Sequence, residues 1–108
     1  MTEQDIQNLI RAALTPIAMV FRINTGTVKT HDGRYFSSGT PKGYSDLSGF
    51  RKSDGKMFFL EIKSATGRLR PDQRKFLTEM NKYDVITGVA RSVEDAIEII
   101  ECGGKYYE

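Results

Sequence analysis

The stretch MFFLEIKSATGRLRPDQRKFLTEMNKYDVITGVA, residues 57–90, decides the fold. Its first part, Met57–Lys63, reads as a strand that is apolar on both faces until its last three positions. Such a run suits a central strand covered on both sides. Pro71 fits the first turn of a helix, and Phe76, Leu77, Met80 and Tyr83 recur at helical spacing to form its apolar stripe. Asp84–Ala90, DVITGVA, then reads as a second strand. Strand, helix and strand in that order predict a right-handed crossover joining a parallel pair.

The flanking segments extend this unit. Upstream, Asp46–Arg51 pairs antiparallel with 57–63 around the turn Lys52-Ser53-Asp54-Gly55. Ala18–Asn24 reads as a further strand. Thr2, with Asp5 three residues on, caps a helix over residues 3–14, whose stripe is Ile6, Leu9, Ile10, Ala13 and Leu14 and which Pro16 stops. Residues 25–45, TGTVKTHDGRYFSSGTPKGYS, are rich in Gly, Ser, Thr and Lys. Within them Asp32-Gly33 predicts a hairpin that pairs Thr27–Thr30 with Arg34–Ser37. Downstream, Ser92 caps a last helix, with Asp95 three residues on and Val93, Ala96, Ile97 and Ile100 as its buried face. The order α-β-hairpin-β-β-α-β-α describes an α/β fold, a mixed sheet flanked by helices, in a single domain spanning residues 1–108.

Composition narrows the chemistry. With 39% hydrophobic and 28% charged residues, the 108-residue chain is globular. It has no apolar run near the roughly 20 residues that span a bilayer. Its start, MTEQDIQNLI, is not a secretory signal, so the expected compartment is the cytoplasm. A lone cysteine, Cys102, and a lone histidine, His31, exclude an internal disulfide, a thiolate zinc site and any site needing several imidazoles. A metal held here is therefore a hard ion bound by oxygen, Mg²⁺ or Mn²⁺. Cys102, two residues after Ile99-Ile100, reads as a small buried residue. GTPKG at 39–43 lacks the spacing of a phosphate-cradling loop, so no nucleotide cofactor is expected.

The formal charge of +2 hides a polarised distribution. Arg22–Lys56 holds seven Lys/Arg against three Asp, and Lys63–Lys75 five against one, whereas Arg91–Glu108 holds two against five acids. Basic segments favour a polyanionic partner, because phosphate contacts release counterions. On charge alone an ordinary solvated surface is the simpler reading.

Asp46, Glu61 and Lys63 stand out. Glu61 and Lys63, two apart on a strand, share a face roughly 7 Å apart. In the antiparallel pair, Asp46 comes beside them. Two carboxylates at one spot repel unless a proton or cation joins them. A divalent ion resolves this, with the Ile62 carbonyl as a further oxygen ligand. It would polarise a phosphate and activate water, with Lys63 orienting that water or stabilising charge on phosphorus. The plainer alternative is a cross-strand ion pair of Glu61 with Lys63, and a turn residue at Asp46.

G-Y-S-D-L-S-G (43–49), L-E-I-K (60–63) and G-R-L-R-P-D-Q-R-K-F (67–76), with R-x-N-x-G at 22–26, resemble the PD-(D/E)XK nuclease superfamily. More narrowly, the chain is similar to a stand-alone VRR-NUC domain from Glu3 to about Val93. The resemblance implies a restriction-endonuclease-like fold and a Mg²⁺- or Mn²⁺-dependent DNA endonuclease. Asp46, Glu61 and the Ile62 carbonyl would be metal ligands and Lys63 the catalytic lysine. Glu3 matches a helical glutamate that approaches the metal through water, and Gln73 a glutamine on the helix after the E-x-K strand. The family's proline before the aspartate is Ser45 here. Small stand-alone members are typical of phages and bacteria, which would place a phage-encoded chain in the bacterial host cytoplasm. They resemble Holliday-junction resolvases, homodimers acting on branched or flapped DNA.

Arg22, Lys42, Arg68, Arg70, Arg74 and Lys75 are the expected DNA contacts, with Lys29 and Arg34 on the hairpin. Tyr35 and Phe36 fit a satellite core or dimer contact better than base stacking. Two rival readings remain at this stage. One is a DNA-binding module that keeps the fold without catalysis, and the other an interaction protein whose sheet serves to dimerise.

Overall fold

A computed structural model describes residues 1–23, 27–29, 31–33, 35–37 and 39–107, with the backbone alone described for 27–29 and 35–37. The first helix, α1, runs Glu3–Leu14. Its N-terminus is closed by the predicted reciprocal box: the Asp5 N–H donates to Thr2 Oγ1 at 3.1 Å, and the Thr2 N–H to Asp5 Oδ2 at 2.9 Å. Then follow β1 (Ala18–Arg22), β2 (Thr27–Lys29), β3 (Tyr35–Ser37), β4 (Leu47–Arg51), β5 (Met57–Ile62), α2 (Pro71–Met80), β6 (Ile86–Ala90) and α3 (Val93–Cys102).

The main sheet has the order β1-β4-β5-β6. The β1–β4 and β4–β5 pairs are antiparallel, and β5–β6 is parallel across the α2 crossover. The arrangement is the expected α/β mixed sheet with helices on its faces, consistent with a restriction-endonuclease-like fold. The β2–β3 hairpin forms a separate ladder with Thr27 opposite Ser37. Thr30 and Arg34, expected to belong to it, lie outside the described residues, as do Asn24 and Gly26 of the 22–26 motif.

Side-chain alternation along β5 divides the interior. Phe58, Leu60 and Ile62 face one way and join Ile6, Ile10 and Leu14 of α1 and Ala96 and Ile100 of α3 in an apolar cluster. Phe59 faces the other way, into a smaller cluster with Phe76 and Leu77 of α2. No described helix is long and apolar enough to cross a membrane.

Three sequence expectations need correction. Leu9 is 48% exposed, and Gln7 takes the buried place beside Ile6 and Ile10, because α1 turns that side of its cylinder to the core. Helix α2 ends at Met80, capped by Asn81, so Tyr83 falls in the following turn and is exposed. Cys102 is exposed rather than buried. It follows the buried Ile100 by two residues, roughly 200° around the helix.

Candidate active site

The site forms where β4 runs out beside the end of β5. Their ladder closes at Leu47 opposite Leu60, which places Asp46 alongside Glu61. The Ile62 N–H has no β4 partner at that level and donates to Asp46 Oδ2 at 2.9 Å. The N–H and C=O of one strand residue point the same way, so the Ile62 carbonyl also faces the Asp46 side.

The loop carrying Asp46 is fastened to α2. Gly43 has φ +81°, and a Cβ there would lie 2.2 Å from the Asp72 carbonyl oxygen, so only glycine lets this backbone lie on the first turn of α2. The Tyr44 ring packs on Phe76 at 5.1 Å and Phe59 at 5.7 Å, and its hydroxyl donates to Ser48 Oγ at 2.8 Å. Ser45, standing where the resemblance has proline, is fully buried and donates from Oγ to the Leu47 carbonyl at 3.0 Å. That bond supplies by hydrogen bonding some of the stiffness a proline ring would give.

Glu61 is 1% exposed. Its Oε1 accepts from Gln73 Nε2 at 3.0 Å, while the Gln73 Oε1 accepts the Arg70 N–H at 2.9 Å. Gln73 thus ties the start of α2 to the carboxylate. The Glu61 Oε2 is buried with no hydrogen-bond donor among the described residues. Burial pushes the Glu61 pKa up from 4.5 to about 9, reinforced by the adjoining Asp46 carboxyl and opposed by Lys63 and Arg70. Lys63 is itself 6% exposed, and its ammonium makes no hydrogen bond among the described residues. Its backbone N–H donates to the Ala90 carbonyl at 3.1 Å, fixing the chain just beyond β5.

Asp46, Glu61 and Lys63 are therefore brought to one place, with Gln73 bound to Glu61. Glu3 is not: it is exposed on the first turn of α1, and the charges acting on Glu61 are Asp46, Lys63 and Arg70. Among the described residues no three His, Cys, Asp or Glu side chains form a group able to hold a metal. Arg22 is nearby, exposed and paired with Leu47 across β1–β4, and reaches Gln4 Oε1 at 3.4 Å. Lys42 precedes the Gly43 contact and is exposed. Arg70 acts on Glu61, whereas Arg68 and Arg74 line a groove at the outer edge of β6. Lys75 lies with Arg74 and Lys82 on the outer side of α2. For Lys29 only the backbone is described, and Arg34 lies outside the described residues.

A family model for the VRR-NUC domain matches residues 3–94. The chain belongs to the VRR-NUC family. No curated protein and no solved structure is matched by it. The VRR-NUC match begins at Glu3 and ends within α3, so it takes in the whole Asp46–Glu61–Lys63 neighbourhood. This VRR-NUC domain has two supports that its sequence read alone does not single out. Tyr44 locks the Asp46 loop through contacts that cannot be read from spacing. Arg91 pins the loop after Lys63, donating from Nη1 to the Ser64 and Gly67 carbonyls at 2.6 Å each. Gln73 had a residue-level signal: a polar side chain at the same helical spacing as the apolar Phe76, Leu77 and Met80.

Proposed function

We propose that this VRR-NUC domain is a divalent-metal-dependent DNA endonuclease that hydrolyses phosphodiester bonds at the Asp46–Glu61–Lys63 site. The observation carrying the reading is the buried Glu61 Oε2, without a donor among the described residues, set beside a second carboxylate and a buried lysine. A buried carboxylate pair of this kind is costly unless a proton or cation bridges it. Mg²⁺ or Mn²⁺ fits the donor set, since such ions use one or two carboxylates and complete their shell with other oxygens and water. Asp46, Glu61 and the Ile62 carbonyl would hold it. When bound, the ion supplies Lewis-acid polarisation of the phosphate and a more acidic water.

The protein's own groups do the rest. Lys63, with no carboxylate hydrogen-bonded to its ammonium among the described residues, is free to place positive charge against the phosphate as negative charge develops there. Gln73 is a positioning residue: it holds Glu61 Oε1 and leaves Oε2 for the ion. The Ile62 N–H fixes one Asp46 oxygen and so orients the carboxylate. Arg22, Lys42 and Arg70 are proposed phosphate contacts around the site, and Lys75, on the outer side of α2, a contact farther along the DNA.

Structure-selective action on branched or junction DNA, by a homodimer in the cytoplasm, completes the reading. The homodimer is supported by an exposed apolar row across three strands, Met19, Phe50 and Met57 in register, with Phe21 packed on Phe50 at 6.5 Å. Two sites related by a two-fold axis suit two cuts across a junction.

The test is cleavage of four-way junction, flap, nicked and linear DNA with Mg²⁺ and Mn²⁺. Wild type is expected to cut branched forms fastest. Asp46→Ala and Lys63→Ala are each expected to lose about 10²-fold or more in rate. Cleavage unchanged in both variants would overturn the assignment. Salt-sensitive binding with no hydrolysis under either ion would instead mark a silent DNA-binding module.

A further inference from the structure

Strand β6 is an edge of the main sheet, and its outer side is only partly covered. The chain after α3 crosses it at Thr87, where the Thr87 N–H donates to the Gly104 carbonyl at 3.0 Å and Thr87 Oγ1 accepts the Tyr106 N–H at 2.8 Å. The neighbouring Gly88 and Val89 form the floor of a groove of about 660 Å³. Arg68, Arg74, Arg91, Lys105 and Tyr107 also line it.

The charge of this groove is one-sided. Four cationic side chains line it, and no carboxylate does among the described residues. Arg91 is held by the Ser64 and Gly67 carbonyls and Lys105 by the Tyr83 carbonyl at 2.7 Å. Neutral acceptors hold both by hydrogen bonds, and the exposed Asp84, paired with Lys56, also feels the Lys105 charge. Arg68 and Arg74 are exposed and have no ion-pair partner among the described residues. Like charges gathered in a concave, partly desolvated place attract an anion. Tyr107, 83% exposed, adds an aromatic face at the rim.

The groove is also close to the chemistry. Lys63 donates its backbone N–H to Ala90, the residue before Arg91, and Arg91 holds the Ser64 and Gly67 carbonyls, so the groove is tied to the loop that follows Lys63. The loop from Ser64 to Arg70 has Lys63 before it and Arg68 on the groove wall, with Arg70 acting on Glu61. Its volume falls in the range of small-ligand sites, roughly 300–1,000 Å³, which admits a nucleotide. A paired duplex shows such a cleft only its phosphates, whereas an unpaired nucleotide offers both a phosphate and a base face for stacking.

We propose that the β6-edge groove is a binding subsite for an unpaired stretch of the DNA strand engaged at the catalytic site, with Arg68, Arg74 and Lys105 on its phosphates and Tyr107 on a base. The inference rests on the nuclease reading above for its substrate class, and it gives structure selectivity a physical basis. DNA with an unpaired segment next to the cut gains contacts that continuous duplex does not.

The experiment measures binding by fluorescence anisotropy in EDTA, so that hydrolysis plays no part. The probes are a fluorescein-labelled deoxythymidine octamer and a blunt duplex of the same length. Arg68→Ala/Arg74→Ala is expected to weaken octamer binding about tenfold or more and to lower its salt slope by about 1.4, two phosphate contacts on a single strand. Tyr107→Ala is expected to weaken the octamer about fivefold or more, with Tyr107→Phe restoring it and the duplex little changed. Octamer affinity unchanged in both variants, or equal losses on the duplex, would overturn the proposal. Wild type that binds the octamer through these residues but never hydrolyses DNA with Mn²⁺ contradicts the catalytic reading and supports the groove. Wild type that hydrolyses DNA while Arg68→Ala/Arg74→Ala binds the octamer equally well contradicts the groove and leaves the catalytic reading standing.

Discussion

Along β5, Phe58, Leu60 and Ile62 enter an apolar cluster with α1 and α3, whereas Phe59 and Glu61, and Lys63 just beyond the strand, lie under α2 with Tyr44, Ser48 and Gln73. One strand thus feeds two interiors of different chemistry. The first stabilises the fold by removing hydrocarbon from water. The second buries a carboxylate and an ammonium, which costs free energy in the folded state. Placing the charges at the end of a strand anchored by that apolar face lets the fold carry the cost. The lesson is a division of labour: substitutions facing α1 and α3 should act on stability, and those facing α2 on chemistry.

The largest effect expected from breaking this division is at Phe58. Phe58→Ala should cost about 3–5 kcal/mol of stability by chemical denaturation, because the side chain is fully buried against both helices. The rate of the protein that remains folded should stay near that of wild type. A large loss of rate with little loss of stability would erase the distinction.

The second effect concerns pH. The Glu61 pKa is raised from 4.5 to about 9 in the folded protein, so the protonated form is the one that folding favours. The stability it contributes is fully present below pH 4.5 and is lost as pH rises toward 9. Without divalent ions, unfolding free energy should therefore fall between pH 7 and pH 8, by on the order of 1 kcal/mol. Glu61→Gln, which mimics the protonated acid, should flatten that slope. A slope of the same size in Glu61→Gln would show that another group sets it.

The smallest effect is at Tyr44. Tyr44→Phe keeps the ring stacked on Phe59 and Phe76 and removes only the bond to Ser48, at a cost of about 1 kcal/mol. Its imprint should be on rate more than on melting temperature, since the loop it secures carries Asp46. An unchanged rate would show that Gly43 and Ser45 alone hold that loop.

The two interiors also differ in how far the sequence reveals them. Helix α1 falls at residues 3–14 as its stripe and caps predict, and the β4–β5 hairpin and the β5–α2–β6 crossover follow from alternation, Pro71 and turn residues. These are local signals. Leu9 and Tyr83 depart from the predicted faces because a stripe gives the side of a helix only to within a residue, and neighbouring elements decide which edge is covered. The convergence of Asp46 on Glu61 was legible because an antiparallel pair brings the start of one strand beside the end of the other. The hold of Gly43 on Asp72, of Tyr44 on Phe76 and of Arg91 on the loop after Lys63 was not. Those contacts join segments with no shared period, and only the folded chain puts them together. The groove beside β6 was hidden likewise, because its cations come from the start of α2, the end of β6 and the chain after α3.

The central claim is that Glu61, buried beside Asp46, favours a proton which a divalent cation held by both carboxylates displaces. Calorimetric titration of Mn²⁺ into the protein near pH 7, repeated in buffers of different ionisation enthalpy, reads this displacement directly. The account predicts binding with release of about one proton per ion, abolished in Asp46→Asn. Absence of Mn²⁺ binding, or binding that releases no proton and survives Asp46→Asn, would contradict it.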